Sequence, residues 1–314
     1  MTPDGRAEAL DATVVQARQG LPRPVGRLRR GWRRLARRPP AVAGAAVVLA
    51  FVALGVGAPW IAPADPIRTD WSQVRKAPSW SHPFGTDDLG RDNLSRVIWG
   101  ARISMRAGVL SILFAMAVGV PLGLVSGYYR GAVDLVLMRL TDAWLAFPFL
   151  ILAIGLVTIL GPSLTNAMIA VGIATFPHIA RLVRGETLAV KEREFVEAAR
   201  GLGAGYFRLG AVHIIPQIMG PLVVLSTFRV ATAIVVESSL SFLGLGPPPP
   251  TPAWGLMIAE GQQVLEIAPW VSAIPGGAIM VLVMGFNLAG DALRDVLDPR
   301  LRGVSGKGVE EDAT

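Results

Sequence analysis

The sequence contains no cysteine. That excludes a disulfide scaffold, a thiolate metal site and a cysteine nucleophile. Histidine is nearly absent: His82, His178 and His213 stand far apart and no two have ligand spacing, which excludes a structural zinc site. Charge is scarce as well, at 17% of 314 residues, where a soluble domain carries about a quarter. Apolar residues make up 52%, so the chain is not a disordered one, which would be poor in them. Lysine occurs only as Lys76, Lys191 and Lys307, followed by Ala, Glu and Gly. A P-loop needs a lysine followed by Ser or Thr, because glycine amides cradle the phosphates and the lysine reaches them. No such motif is present, nor a G-x-S-x-G elbow or an H-E-x-x-H helix. The sequence therefore carries no recognisable catalytic constellation, and no cofactor or metal is expected.

What it does carry is apolar length. A helix crossing a bilayer needs about 20 mainly apolar residues. Residues 39–64 are uncharged and form a first span, closed by Pro59, Pro63 and Pro66. It starts too far into the chain, and is too long, for a cleaved signal peptide. Residues 107–129 give a second span. Residues 143–180 lack charge for thirty-eight positions, with Gly161-Pro162 near the middle. A Gly-Pro pair marks a turn, so spans three and four are expected at about 133–160 and 163–182. Residues 214–238, apolar but for Arg229 and Glu237, make a fifth, and residues 268–290 a sixth. The fold class expected is an all-α integral membrane protein with six transmembrane helices.

The net charge of +7 has a location. Residues 1–38 hold ten arginines against three acids, and the rest of the chain carries twenty basic and twenty acidic residues. A basic arm running straight into an apolar segment reads as a cytoplasmic membrane flank rather than a nucleic-acid arm. Six spans then put both termini in the cytoplasm. The segment after span four is basic and 239–267 holds only Glu260 and Glu266, as that orientation requires. The outer segment 61–103 is the exception, with six basic and five acidic residues.

Between spans four and five lies a cytoplasmic loop of about thirty residues. Leu188, Phe195, Ala199 and Leu202 recur on one face of a helix. Glycines at 201, 203 and 205 should stop it, and a second short helix should run from Tyr206 to about Val212, before Pro216. Periodicity alone leaves two readings open: a helix lying on the membrane, or a docking element.

Glu197-Ala198-Ala199, then Gly203, then His213-Ile214-Ile215-Pro216 resemble the EAA loop of bacterial ABC importer permeases. His213 and Ile215 depart from the general pattern but suit the peptide-permease branch. Three more stretches resemble C-type subunits of dipeptide and oligopeptide permeases. These are His82 to Asp92 with Gly100-Ala101-Arg102-Ile103-Ser104, Glu237 to Gly246 with the proline-rich run to Gly255, and Gly290 to Leu301.

The resemblance implies a type I ABC importer permease fold with a cytoplasmic EAA coupling loop, in the bacterial inner membrane. Its parts would be a basic tail at 1–38, the first span and outer segment at 39–101, a five-span core at 102–291 and a C-terminal tail at 292–314. It implies a B-type permease partner, two ATPase subunits that hydrolyse the ATP, and an extracytoplasmic binding protein. ATPase coupling would fall to Glu197, Ala198, Ala199, Gly203, His213 and Pro216. The transported solute would be a dipeptide or oligopeptide, or alternatively nickel, glutathione or another solute. From another class, an ATP-independent channel or carrier would leave the long loop unexplained.

Two further sets of residues are candidates. Arg229, about 22 Å into span five at 1.5 Å per residue, is costly in lipid. With Glu237, it is a candidate for the translocation pathway or for an ion pair that holds the assembly together. Asp87, Asp88, Arg91 and Asp92 are candidates for an outer gate or binding-protein contact. The plainer reading of that stretch is a helix start capped by Thr86 or Asp87 and stapled by an Asp92–Arg96 pair.

Overall fold

The computed structural model describes residues 39–297. The arginine-rich arm and the stretch from 298 onward, with the end of the C-terminal motif, lie outside them. The described residues hold nine main helices and a single 3-10 turn, Trp71–Gln73. The helices are α1 (Pro39–Ile61), α2 (Asn93–Tyr129), α3 (Gly131–Leu145), α4 (Phe149–Leu160), α5 (Leu164–Val190), α6 (Glu194–Gly201), α7 (Tyr206–Phe242), α8 (Trp254–Gln262) and α9 (Trp270–Leu297). Five of them, α1, α2, α5, α7 and α9, are long and apolar enough to cross a membrane.

The third expected span is not one straight helix. α3 and α4 meet at a bend of 90° and make a sixth crossing only if taken together. The cause is Pro148, which has no N–H and pushes the residue before it out of the α region. The Ala146 and Phe147 amides close α3 on Asp142 and Trp144, and α4 restarts after Pro148. Two acids of α3 find partners on α5. Arg184 donates to both oxygens of Asp134 at 2.5 and 2.6 Å, and Arg181 pairs with Asp142. The Gly161-Pro162 turn is present as expected. Gly161 has φ +90°, Ser163 caps α5, and the Asn166 amide donates to the carbonyls of Leu160 and Gly161.

α2 begins fourteen residues before its uncharged stretch, at Asn93. Neither Thr86 nor Asp87 caps it. Asp92 does, accepting from the Ser95 amide at 2.8 Å and the Ser95 hydroxyl at 2.7 Å. At 37 residues the helix is about 55 Å long, well beyond the 30 Å hydrocarbon core. Its far half packs on α5 through Gly119, Gly123 and Gly127. A Cβ at Gly123 would lie 2.5 Å from the Ala180 carbonyl oxygen. Small residues four apart let two backbones approach this closely, and in lipid such packing is the main force between helices.

α7 is continuous where two pieces were expected. A π-helical stretch, Leu209–Ile214, joins its first turn to the span. Pro216 lacks the N–H that would reach Val212, and the Ile215 amide instead donates five residues back, to Gly210.

The apolar core has two centres. One surrounds the fully buried Trp254, whose indole N–H donates to the Val97 carbonyl at 3.0 Å. The other joins Ile179, Val183, Leu209, Ile214 and Ile218 at the opposite end of the bundle, beside α6.

Candidate functional site

The loop expected to couple begins where α5 stops. Leu188 belongs to α5, so the apolar face expected at Leu188, Phe195, Ala199 and Leu202 is not one helix face. The chain breaks at Lys191–Arg193, and α6 buries Val196 instead, with Ala199 half-buried beside it. Phe195 is 40% exposed, Leu202 90% and Phe207 86%. Glu197 and Ala198 also face outward. The glycine elbow follows, with Gly203 at φ +83° and nothing within 4 Å of where its Cβ would lie. A residue with a side chain resists that backbone conformation, which is why glycine stands there. His213 is half-buried within the π-helical stretch, and Pro216 is exposed. The six residues thus sit along one loop and the helix that follows it. A cleft of about 220 Å³ opens beneath α6, with Tyr128, Arg130, Lys191, Glu197 and Arg200 among its walls. Burial first, and Arg130 second, hold the Lys191 ammonium below the usual lysine range.

At the other end, the segment between α1 and α2 folds as a cap. Its backbone is pinned by the Asp70 amide to the Leu89 carbonyl and by the Trp270 indole to the Thr86 carbonyl. Here the expected outer contact residues turn inward. Asp87, Arg91 and Asp92 are buried at 2%, 2% and 4% exposure. Arg91 donates to Asp87 at 2.6 Å and to Glu260 of α8 at 2.8 Å, and Arg96 reaches the same Glu260 at 3.1 Å. Asp92 pairs with His82 rather than Arg96. Arg91, held by Asp87, ties the cap to Glu260 of α8, while Asp92 caps α2. Asp88 alone is partly exposed, paired with Arg75 at 2.7 Å. Glu260 had not been singled out. The signal was available: an outer segment with a surplus base, and a neighbouring loop holding acids only.

Arg229 is half-buried on α7, and among the described residues it makes no ion pair. Glu237 is enclosed in the subunit at 1% exposure, with one oxygen accepting from Ser241 at 2.7 Å. The two residues do not meet.

Residues 119–303 match the family described as binding-protein-dependent transport system inner membrane component, and residues 26–78 match the N-terminal TM domain of oligopeptide transport permease C. The glutathione transport system permease protein GsiD of Pectobacterium atrosepticum is 43% identical over 272 residues, 86% of this chain and 90% of that protein. The Escherichia coli protein of the same name is 45% identical, over 87% and 90%. The dipeptide transport system permease protein DppC of Alkalihalophilus pseudofirmus is 39% identical, again over 87% and 90%. Among solved structures, an inward-facing form of the MetNI methionine ABC transporter aligns with a TM-score of 0.54 at 20% identity, covering 65% of this chain and 97% of that one. That likeness supports the fold alone: an all-helical ABC permease. With a family match over residues 119–303 and relatives 39–45% identical over most of its length, the chain belongs to the binding-protein-dependent transport system inner membrane component family, the permease subunits of ABC importers.

Proposed function

We propose that this permease imports small peptides, of dipeptide to glutathione size, and that it couples to ATP through the loop around Gly203. The observation that carries the coupling is the outward display of Leu202 and Phe207, 90% and 86% exposed, on either side of the φ +83° glycine. Apolar side chains held that far out on a short helix and its elbow suit a partner's groove. Glu197, Ala198, Ala199, His213 and Pro216 complete that surface and its root. The partners in this reading are a B-type permease, two ATPase subunits that hydrolyse the ATP, and an extracytoplasmic binding protein that selects the solute. The names of the relatives favour a peptide-type solute over nickel. The loop and both termini are cytoplasmic, with the chain in the bacterial inner membrane.

The test is uptake by proteoliposomes holding this chain with the permease, ATPases and binding protein coded beside it. ATP-dependent uptake of labelled glutathione or a dipeptide is expected. Uptake of nickel alone would overturn the solute class. Orientation is checked on the naturally cysteine-free chain. Ser81→Cys and Gln262→Cys should react with an impermeant thiol reagent in intact cells, and Leu202→Cys should not.

Arg229 lines the pathway in this reading and meets the carboxylate of the passing peptide. Arg229→Gln should keep assembly and ATP hydrolysis while uptake falls. Failure to pair with the partner permease would make Arg229 structural.

A further inference from the structure

The chain has only three tyrosines, and all three meet at one place. Tyr128 and Tyr129 end α2, and Tyr206 opens α7 immediately after the glycine elbow. Their ring centroids lie 5.4 Å (Tyr128–Tyr129), 4.9 Å (Tyr128–Tyr206) and 5.2 Å (Tyr129–Tyr206) apart. Edge-to-face and tilted contacts at such distances are the favoured aromatic arrangements.

The other side of the loop is tied to the same spot. Lys191 closes α5, and its ammonium donates to the carbonyl oxygens of Gly127 at 2.8 Å and Tyr128 at 2.9 Å. Carbonyls in the last turn of a helix have no partner within it, and that end of the dipole favours a cation. Arg130 adds a pair to Glu192 at 2.8 Å. So the chain enters α6 from one attachment on the end of α2 and leaves it through a second attachment on that same end. α2 is in turn locked to α5 at Gly119, Gly123 and Gly127.

We infer that Tyr128, Tyr129, Tyr206 and Lys191 form a clamp that fixes both feet of the coupling helix to the end of α2, so that ATPase motion enters the bundle through the α2–α5 pair. This rests on the reading that α6 meets the ATPase. Tyr206 and Lys191 are positioning residues: they touch neither solute nor nucleotide. In a rigid clamp the contact persists through the transport cycle, and the π-helical stretch just beyond it absorbs the strain in α7. Wide helical turns of this kind are frequent at functional sites.

The experiment compares uptake with ATP hydrolysis in the reconstituted importer, binding protein included. Tyr206→Ala should leave ATPase binding and hydrolysis in place and lower uptake per ATP hydrolysed about tenfold, the size of an ordinary coupling free energy. Tyr206→Phe keeps the ring and should restore the wild-type ratio. The double variant Tyr129→Cys with Tyr206→Cys, bridged by a short bifunctional thiol reagent, should transport near the wild-type ratio and lose coupling when the bridge is cleaved. A wild-type ratio in Tyr206→Ala, or arrest of transport by the bridge, overturns the clamp. A wild-type complex in which the ATPases do not bind through α6 instead overturns the coupling reading proposed above, and the clamp with it.

Discussion

At one end of the bundle Asp87, Arg91, Arg96 and Glu260 are bonded to one another and largely withdrawn from solvent. At the other, Leu202 and Phe207 stand in the open while the charges of α6 line a cleft or face outward. The first end spends its charge on itself and closes. The second leaves apolar surface unsatisfied, which a lone subunit tolerates only where something else covers it. Conserving a fold and meeting a partner thus use opposite placements of the same residue types.

Breaking the closed end should have the largest effect. Asp87→Ala leaves two buried guanidiniums sharing Glu260, and removing one partner of a buried ion pair costs about 3–5 kcal/mol. The expected result is a clear drop in melting temperature and in the amount of subunit in membranes. Unchanged melting would mean that water reaches this cluster freely. Between the two ends, Gly123→Val forces a side chain against the Ala180 carbonyl and Val183. Overpacking of this kind costs about 1–3 kcal/mol, again read by melting. At the open end, Gly203→Val meets no neighbour, so only the backbone is strained, by about 1 kcal/mol. Melting should shift little while ATPase association or uptake is lost, and normal transport by this variant would sink the coupling role of the elbow. Smallest of all, Arg75→Gln removes an ion pair with Asp88 that is largely open to water. A change within about 0.5 kcal/mol is expected, which sets the scale for charge at the closed end.

Uncharged stretches located the five long crossing helices and the bent α3–α4 pair, because lipid demands apolar length and little else in a sequence has it. They gave the ends poorly. α2 extends outward through Asn93 and Arg96 because those residues are covered by the cap and by α8, and hydropathy counts them as if they met lipid. The break at Pro148 was written in the sequence but hidden inside a run whose Gly-Pro turn drew attention first. For the site, Gly203 was legible because a left-handed backbone leaves a glycine signature. The outer acids look the same in the sequence whether they face water or, as Asp87 does, a buried arginine, and that arginine's other acid, Glu260, lies 169 positions away. Val196 was missed since an eight-residue helix is too short for its buried face to be read from period alone.

The wide turn at Leu209–Ile214 also sets the phase of everything after it. A π turn accommodates one residue more than an α turn, so the span that follows is rotated by about 100° relative to an unbroken α-helix from Tyr206. Arg229 and Glu237 owe their azimuth to that surplus residue. Removing one residue between Leu209 and Ile214 would leave α7 apolar, helical and insertable while turning Glu237 out of its enclosure. In comparing permeases of this family, a one-residue gap before the proline therefore matters more than many substitutions: it changes which side of the span is buried in the bundle.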